Sequence, residues 1–346
     1  MKQAYSAESL TELITALTAL HGISGREQAV GEFAAKALAD YIPDAVFRDG
    51  SVTAHLGSDR QKPTLLICAH IDQVGFLVTD ITEDGFLRIG AVGGIDRRLL
   101  LGQPVTVEGK ETRSGVISIL PPHLLQGEQA VPDDGQLCID LGVSSAAALQ
   151  GRVSRGDAVY YASGARPLQN DILTAPALDN RSGAAAVIAA ASMLCESTDL
   201  PCNVVFCLSG QEERSGRGAK QAAFTERPDF AIAVDTTFAK QHDDSEECYV
   251  MGKGPAIGVS SVLSPELSQA LTETAVRCGI PYQIEVMPEG TGTDADHLAL
   301  APGGCAAGTV SIPIRYMHTP VETVSIADVY ETARLLAEYA KECGKA

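Results

Sequence analysis

Apolar residues first recur at helical spacing. Val30, Phe33, Ala34, Ala37 and Leu38 lie three and four apart, which predicts one buried helix face. Ser9 to Glu12 and Ser24 to Glu27 each read Ser-x-x-Glu, the capping box that opens a helix. Pro43 stops the second helix. The period then changes. Val46 to Leu56 predicts a strand. Thr64-Leu-Leu-Ile-Cys-Ala69 is apolar after its first residue, which predicts a strand covered on both faces. From Val74 to about Ala165 helical periodicity nearly vanishes. Short β-rich runs replace it: Gly75 to Asp80, Phe86 to Ile89, Gln103 to Glu108, Gly115 to Leu120 and Asp157 to Tyr161. Gly and Asp turns separate them, and one short helix is expected near Ser144 to Leu149.

After Leu173 the α/β alternation returns. Arg181 to Glu196 predicts a helix rich in small residues. Cys202 to Leu208, Phe230 to Val234, Ile284 to Met287 and Ala307 to Ile312 predict strands. Ser264-Pro265 opens a helix that Gly279 closes, and Ser325 to Asp328 caps a last helix to about Cys343. The expected fold is therefore α/β. Residues 1–73 and 166–346 make one discontinuous mixed-sheet α/β/α domain, and residues 74–165 form an inserted small β-barrel.

The chain has 346 residues, 45% of them hydrophobic and 20% charged. That composition excludes disordered, collagen-like and coiled-coil classes, and the length suits two units. The net charge of −18 repels nucleic-acid phosphates, and no Lys/Arg run offsets it. No nucleic-acid partner is expected. Met1 to Leu10 is polar, without a secretory apolar stretch, and the most apolar window, Ala184 to Leu194, is too short to span a bilayer. No membrane partner is expected. The 9 cysteines stand singly with no CxxC pair, which predicts reduced thiols and a cytoplasmic setting.

Five segments concentrate candidate metal ligands, each after a strand or at a helix start, where ligands sit in open α/β sheets. His70-Ile-Asp72 follows the buried strand. Its imidazole can bind a metal while an Asp accepts the other ring N–H, although a hydrogen-bonded strand-end His would look the same. Leu178-Asp179-Asn180-Arg181 opens a helix, where Asp also serves as an N-cap. Gln211-Glu212-Glu213 brings two carboxylates together, and their repulsion needs a positive partner. Arg214 and Arg217 offer one, a metal ion another. Asp235 follows Ala233-Val234. His318 lies in Arg315-Tyr-Met-His-Thr-Pro-Val-Glu322. This N/O donor set suits Zn²⁺, Co²⁺ or Mn²⁺. There is neither a GxSxG elbow nor a Cys in a catalytic setting.

These segments resemble the tetrahedral aminopeptidases, the glutamyl, leucyl and deblocking enzymes that assemble into hollow dodecamers. The likeness covers nearly the whole chain, in order, including the β insertion. Gly93-Gly-Ile-Asp96 and Gly292-Thr-Asp-Ala295 also look like family segments. The resemblance implies that His70 and Asp235 bind one metal, that Glu213 and His318 bind the other, and that Asp179 bridges them. It further implies that Glu212 is the general base, that Asp72 orients His70, and that the Asp179–Asn180 peptide is cis. It implies two divalent cations per subunit (Zn or Co, with Mn admitted), peptide substrates, and a homo-oligomer built through the barrel. One departure stands out. The family commonly has Glu after the HxD Asp; here it is Gln73, which touches either metal strength or reading of the substrate's amino terminus. His297 is expected as an exposed or core-edge side chain, not as a ligand.

The nearest rival is a di-metal amidohydrolase of the aminoacylase and carboxypeptidase type. It carries a helix-bearing lid inserted later in the chain. The β insertion directly after His70-Ile-Asp72 favours the aminopeptidase. A catalytically silent assembly protein of the same fold, where glucanase activity has also been claimed, is the reading from another class.

Overall fold

The computed structural model describes residues 3–118, 122–124, 137–242 and 248–344. Four strands run parallel at the centre of a mixed sheet: Asn203–Ser209, Thr64–His70, Phe230–Phe238 and Ala306–Arg315. Antiparallel strands extend it. Ser51–Leu56 and Val46–Arg48 lie beyond Asn203–Ser209, and Glu322–Ser325 and Ile172–Ala175 beyond Ala306–Arg315. A side branch pairs Ala256–Ser260 with both Ala306–Arg315 and Gln283–Met287.

Alternation along Thr64–His70 shows why it is apolar throughout. Leu65, Ile67 and Ala69 join the larger core, with residues of the helices Ala7–Thr18, Gln28–Ala39, Leu178–Leu194 and Ile326–Ala340. Leu66 and Cys68 join a second core on the opposite face, with Ala219 and Ala222 of the helix Arg217–Glu226 and Leu298 of Ala295–Leu298. A strand covered on both faces has no solvent side to give polar residues. The result is an α/β/α layering.

Between Gly75 and Tyr161 the chain closes an antiparallel barrel. Around the ring the order is Gly75–Ile81, Leu87–Val92, Cys138–Asp140, Thr112–Ile117, Pro104–Glu108 and Ala158–Tyr161. Phe76, Leu87, Ile89, Val105, Val107 and Ile139 fill it. The end of the predicted run Gly115 to Leu120 lies outside the described residues.

Several local expectations change. Val46 to Leu56 is a hairpin, not one strand. Asp49 and Gly50 take φ of 52° and 87°, the pair of positive angles a two-residue hairpin turn requires. The first helix starts earlier, at Ala7, capped reciprocally by Ser6 and Ser9. Ser24 caps nothing. The second helix begins at Gln28 behind Glu27, with no side-chain cap, because the Ser24 hydroxyl donates to Asp72 Oδ2 at 2.6 Å instead. Ser325 gives no side-chain cap either, whereas Ser264 does cap its helix, with Gly279 at the far end. All nine cysteines are free. Among the described residues, no helix is long and apolar enough to cross a membrane.

Candidate metal centre

The sheet register gathers the candidate ligands at the ends of its parallel strands. Cys68 pairs with Ala233, so His70 and Asp235 each lie two residues further along neighbouring strands. Glu212 and Glu213 open a one-turn helix just after Asn203–Ser209, and His318 follows Ala306–Arg315. Asp179 follows the strand Ile172–Ala175, at the start of Leu178–Leu194, where Asp179 and Asn180 depart from helical angles. The peptide between those two residues is cis.

Two ligand groups result, His70–Asp179–Asp235 and Asp179–Glu213–His318, and Asp179 belongs to both. His70 Nε2 is 3.2 Å from Asp179 Oδ1 and 3.6 Å from Asp235 Oδ1. His318 Nε2 is 3.1 Å from Asp179 Oδ2 and 3.2 Å from Glu213 Oε1. Glu212 stands beside them, with Oε2 3.8 Å from His70 Nε2.

A supporting layer fixes these side chains. His70 Nδ1 meets the Asp72 backbone carbonyl at 3.1 Å, with that residue's carboxylate 3.6 Å away. The Asp72 carboxylate accepts the backbone N–H of Glu212 at 2.9 Å and of Glu213 at 3.3 Å. It thereby fastens the turn that carries both acids. The barrel also reaches the site, since Gly94 O bonds His318 Nδ1 at 2.6 Å. Those contacts turn each Nε2 toward the centre.

Electrostatics set the chemistry. Burial opposes charge on His318, but Asp179 and Glu213 push its pKa up to about 11. His70 is likewise raised against burial by Asp179, Asp235 and Asp72. Burial, and then the nearby charges of Asp235, Asp294 and Glu213, push Glu212 up to about 9. Asp235 rises to about 6 for the same first reason. This is a pocket with more negative charge than its two imidazoles neutralise. Asp179 Oδ1 and Glu213 Oε1 are buried without a hydrogen-bond partner, although an imidazole nitrogen lies near each. Orphaned anionic oxygens facing imidazole nitrogens are the donor set of a divalent-cation site, so the residues fit the metals that the sequence resemblance implies.

The site opens into a pocket of about 840 Å³ lined by these residues and by Thr237, Glu285, Glu289 and Thr291 among others. A larger cleft of about 980 Å³, bordered by His21, Arg26, Arg48 and Glu108, contains none of the ligands.

Other residues gain places that sequence reading did not give them. Glu322 uses both oxygens to hold ligand backbones, accepting from His318 N at 2.6 Å and Asp179 N at 3.0 Å. Its position at the end of the Arg315 to Glu322 segment was the available signal. Asp294 is buried behind the site, bonded to the Ser209 hydroxyl. Gln73 accepts from Arg181 Nη2 at 3.3 Å and does not line the pocket, so its carboxamide serves a buried guanidinium. His297 is half-buried against Gly216, which has no room for a Cβ there.

Comparison with known proteins agrees. The sequence model for the M42 glutamyl aminopeptidases matches residues 50–335. The lysyl aminopeptidase of Pyrococcus furiosus is 34% identical over 333 residues, covering 94% of each chain. Aminopeptidase APDkam598 from the archaeon Desulfurococcus kamchatkensis superposes with a TM-score of 0.91 at 33% identity, over 97% of this chain and 96% of its own. The Pyrococcus horikoshii TET1 peptidase gives 0.86 at 32% identity, over 96% and 99%. The chain belongs to the M42 glutamyl aminopeptidase family and is a peptide hydrolase.

Proposed function

We propose that this aminopeptidase releases N-terminal residues from peptides with two divalent cations and Glu212 as general base. His70, Asp179 and Asp235 would hold one cation, and Asp179, Glu213 and His318 the other, Zn²⁺ or Co²⁺ with Mn²⁺ also accommodated. The supporting observation is the pair of ligand groups sharing Asp179, with Glu212 beside them but in neither. When bound, the cations supply Lewis-acid polarisation of the scissile carbonyl and acidify water. Glu212 Oε2 takes a proton from the attacking water and returns it to the departing amine. Asp72 keeps that carboxylate in place through the Glu212 N–H. Glu322 and Gly94 keep the ligands in place.

The TET1 peptidase of P. horikoshii can assemble into a tetrahedron or a large octahedral shell. We extend self-assembly to this chain, as a homo-dodecamer in the cytoplasm. Residues 74–165 would be the oligomerisation unit inserted into a catalytic domain of residues 1–73 and 166–346.

The test compares aminoacyl p-nitroanilides with N-acyl amino acids after metal loading. Release of p-nitroaniline is expected. Cleavage of the N-acyl compounds alone would move the chain to the aminoacylase type.

A further inference from the structure

We propose that Glu285 selects substrates whose N-terminal side chain is cationic, lysine or arginine. This rests on the aminopeptidase reading above and names its substrate class.

The strand Gln283–Met287 is inverted relative to ordinary partition. Its one buried residue is the acid Glu285, while Ile284 and Val286 are exposed. Acids are almost never buried unless paired. Glu285 is 8% exposed, and its Oε1 accepts the Thr237 hydroxyl. Oε2 has no partner. Glu285 belongs to neither ligand group, yet it lines the same pocket as His70, Asp179 and His318. The Glu285 side chain therefore borders the pocket of the reacting centre with one carboxylate oxygen buried and unpaired.

The pocket's charge points to the occupant. No Lys or Arg lines it among the described residues, and Glu289 stands on its wall. An acidic side chain reaching Glu285 would meet the carboxylates of Glu285 and Glu289 with no Lys or Arg beside them among the described residues. An apolar one would leave Oε2 buried and unpaired, which is unfavourable. An ammonium or guanidinium at the end of a long side chain supplies the absent donor. The wall is preformed: Asp296 accepts from Thr291 N at 2.9 Å and Gly292 N at 3.2 Å. The Ser260 hydroxyl donates to Glu289 O at 2.8 Å. Little ordering is then left for binding to accomplish.

The test measures kcat/KM for Lys-, Arg-, Leu- and Glu-p-nitroanilides with metal-loaded wild type and Glu285→Gln. Wild type should favour Lys and Arg. In Glu285→Gln, those two should fall by ~10–100-fold while Leu stays within about threefold. A wild type that prefers Leu or Glu overturns the proposal. So does an unchanged Lys/Leu ratio in the variant. A uniform fall across all four substrates also overturns it, because that marks capture of the α-amino group or a purely structural role. Calorimetric binding of L-lysine against L-norleucine supplies a readout independent of turnover. Lysine should bind at least ~10-fold tighter to wild type only, and equal binding refutes the assignment. If no aminoacyl substrate is hydrolysed, the aminopeptidase reading fails, while the lysine and norleucine titrations still decide the role of Glu285.

Discussion

Replacing Glu322 should loosen metal binding although Glu322 touches no metal position. Its carboxylate accepts the backbone N–H of His318 at 2.6 Å and of Asp179 at 3.0 Å. It is 1% exposed, so water cannot substitute for it. Burial and the charge of Asp179 push its carboxyl well up, but both oxygens face donors, and only the ionised form accepts on both. In Glu322→Gln one oxygen becomes an NH₂ group directed at an N–H. That donor loses its acceptor, at a cost of about 1–3 kcal/mol. The relief of a buried charge returns part of this. What remains falls on the backbone positions of two ligands from different parts of the chain. Comparable losses behind metal ligands lower affinity by ~10–100-fold. Titration against a chromophoric chelator would measure this, with thermal unfolding of the metal-free protein as the companion assay. Affinity within about twofold of wild type, with unchanged unfolding, would refute a positioning role for Glu322.

Three further outcomes follow. Gln73→Leu leaves Arg181 Nη2 without the 3.3 Å bond and should cost about 1–3 kcal/mol of stability with metal content intact; lost metal would return Gln73 to the metal centre. Chelation should lower the melting temperature, since each occupied site adds about 2.7 kcal/mol at a hundredfold excess over its Kd, and Zn²⁺ or Co²⁺ should restore it. An unchanged melting temperature would argue against resident cations. Glu226, then Asp44, raise His55 from 6.5 to about 9 against burial. A raised folded-state pKa gives stability that is full below 6.5 and lost as pH rises through about 9. The His55 side chain is 41% exposed, which lets solvent screen these contacts, so His55→Gln should cost under about 1 kcal/mol at pH 6 and nothing measurable at pH 10. A constant difference across that range would contradict this linkage.

The site was legible where sequence and topology share a cause. An apolar strand must end in polar residues where it leaves the core, so His70, Glu212, Glu213 and Asp235 announced themselves. Residues that act through backbone groups did not. Glu322 holds two N–H groups, and Ser24 serves Asp72 across 48 positions of sequence, so its Ser-x-x-Glu pattern pointed to a cap that does not exist. Glu285 was hidden by its own strand, whose apolar neighbours face solvent. The strand Cys138–Asp140 escaped notice because it has only 3 residues and one buried side chain. The Val46 to Leu56 run concealed a hairpin, since only the two residues Asp49 and Gly50 interrupt its β-rich flanks.

The central claim is a base beside a two-cation site, and Glu212→Gln tests it most directly. Metal analysis by mass spectrometry and turnover of an aminoacyl p-nitroanilide are measured on the same metal-replete sample. Glu212 lies outside both ligand groups, so the variant should keep two equivalents of metal per chain while turnover falls by ~10²–10⁴. Turnover at the wild-type level, or loss of metal with the carboxylate, would contradict the account.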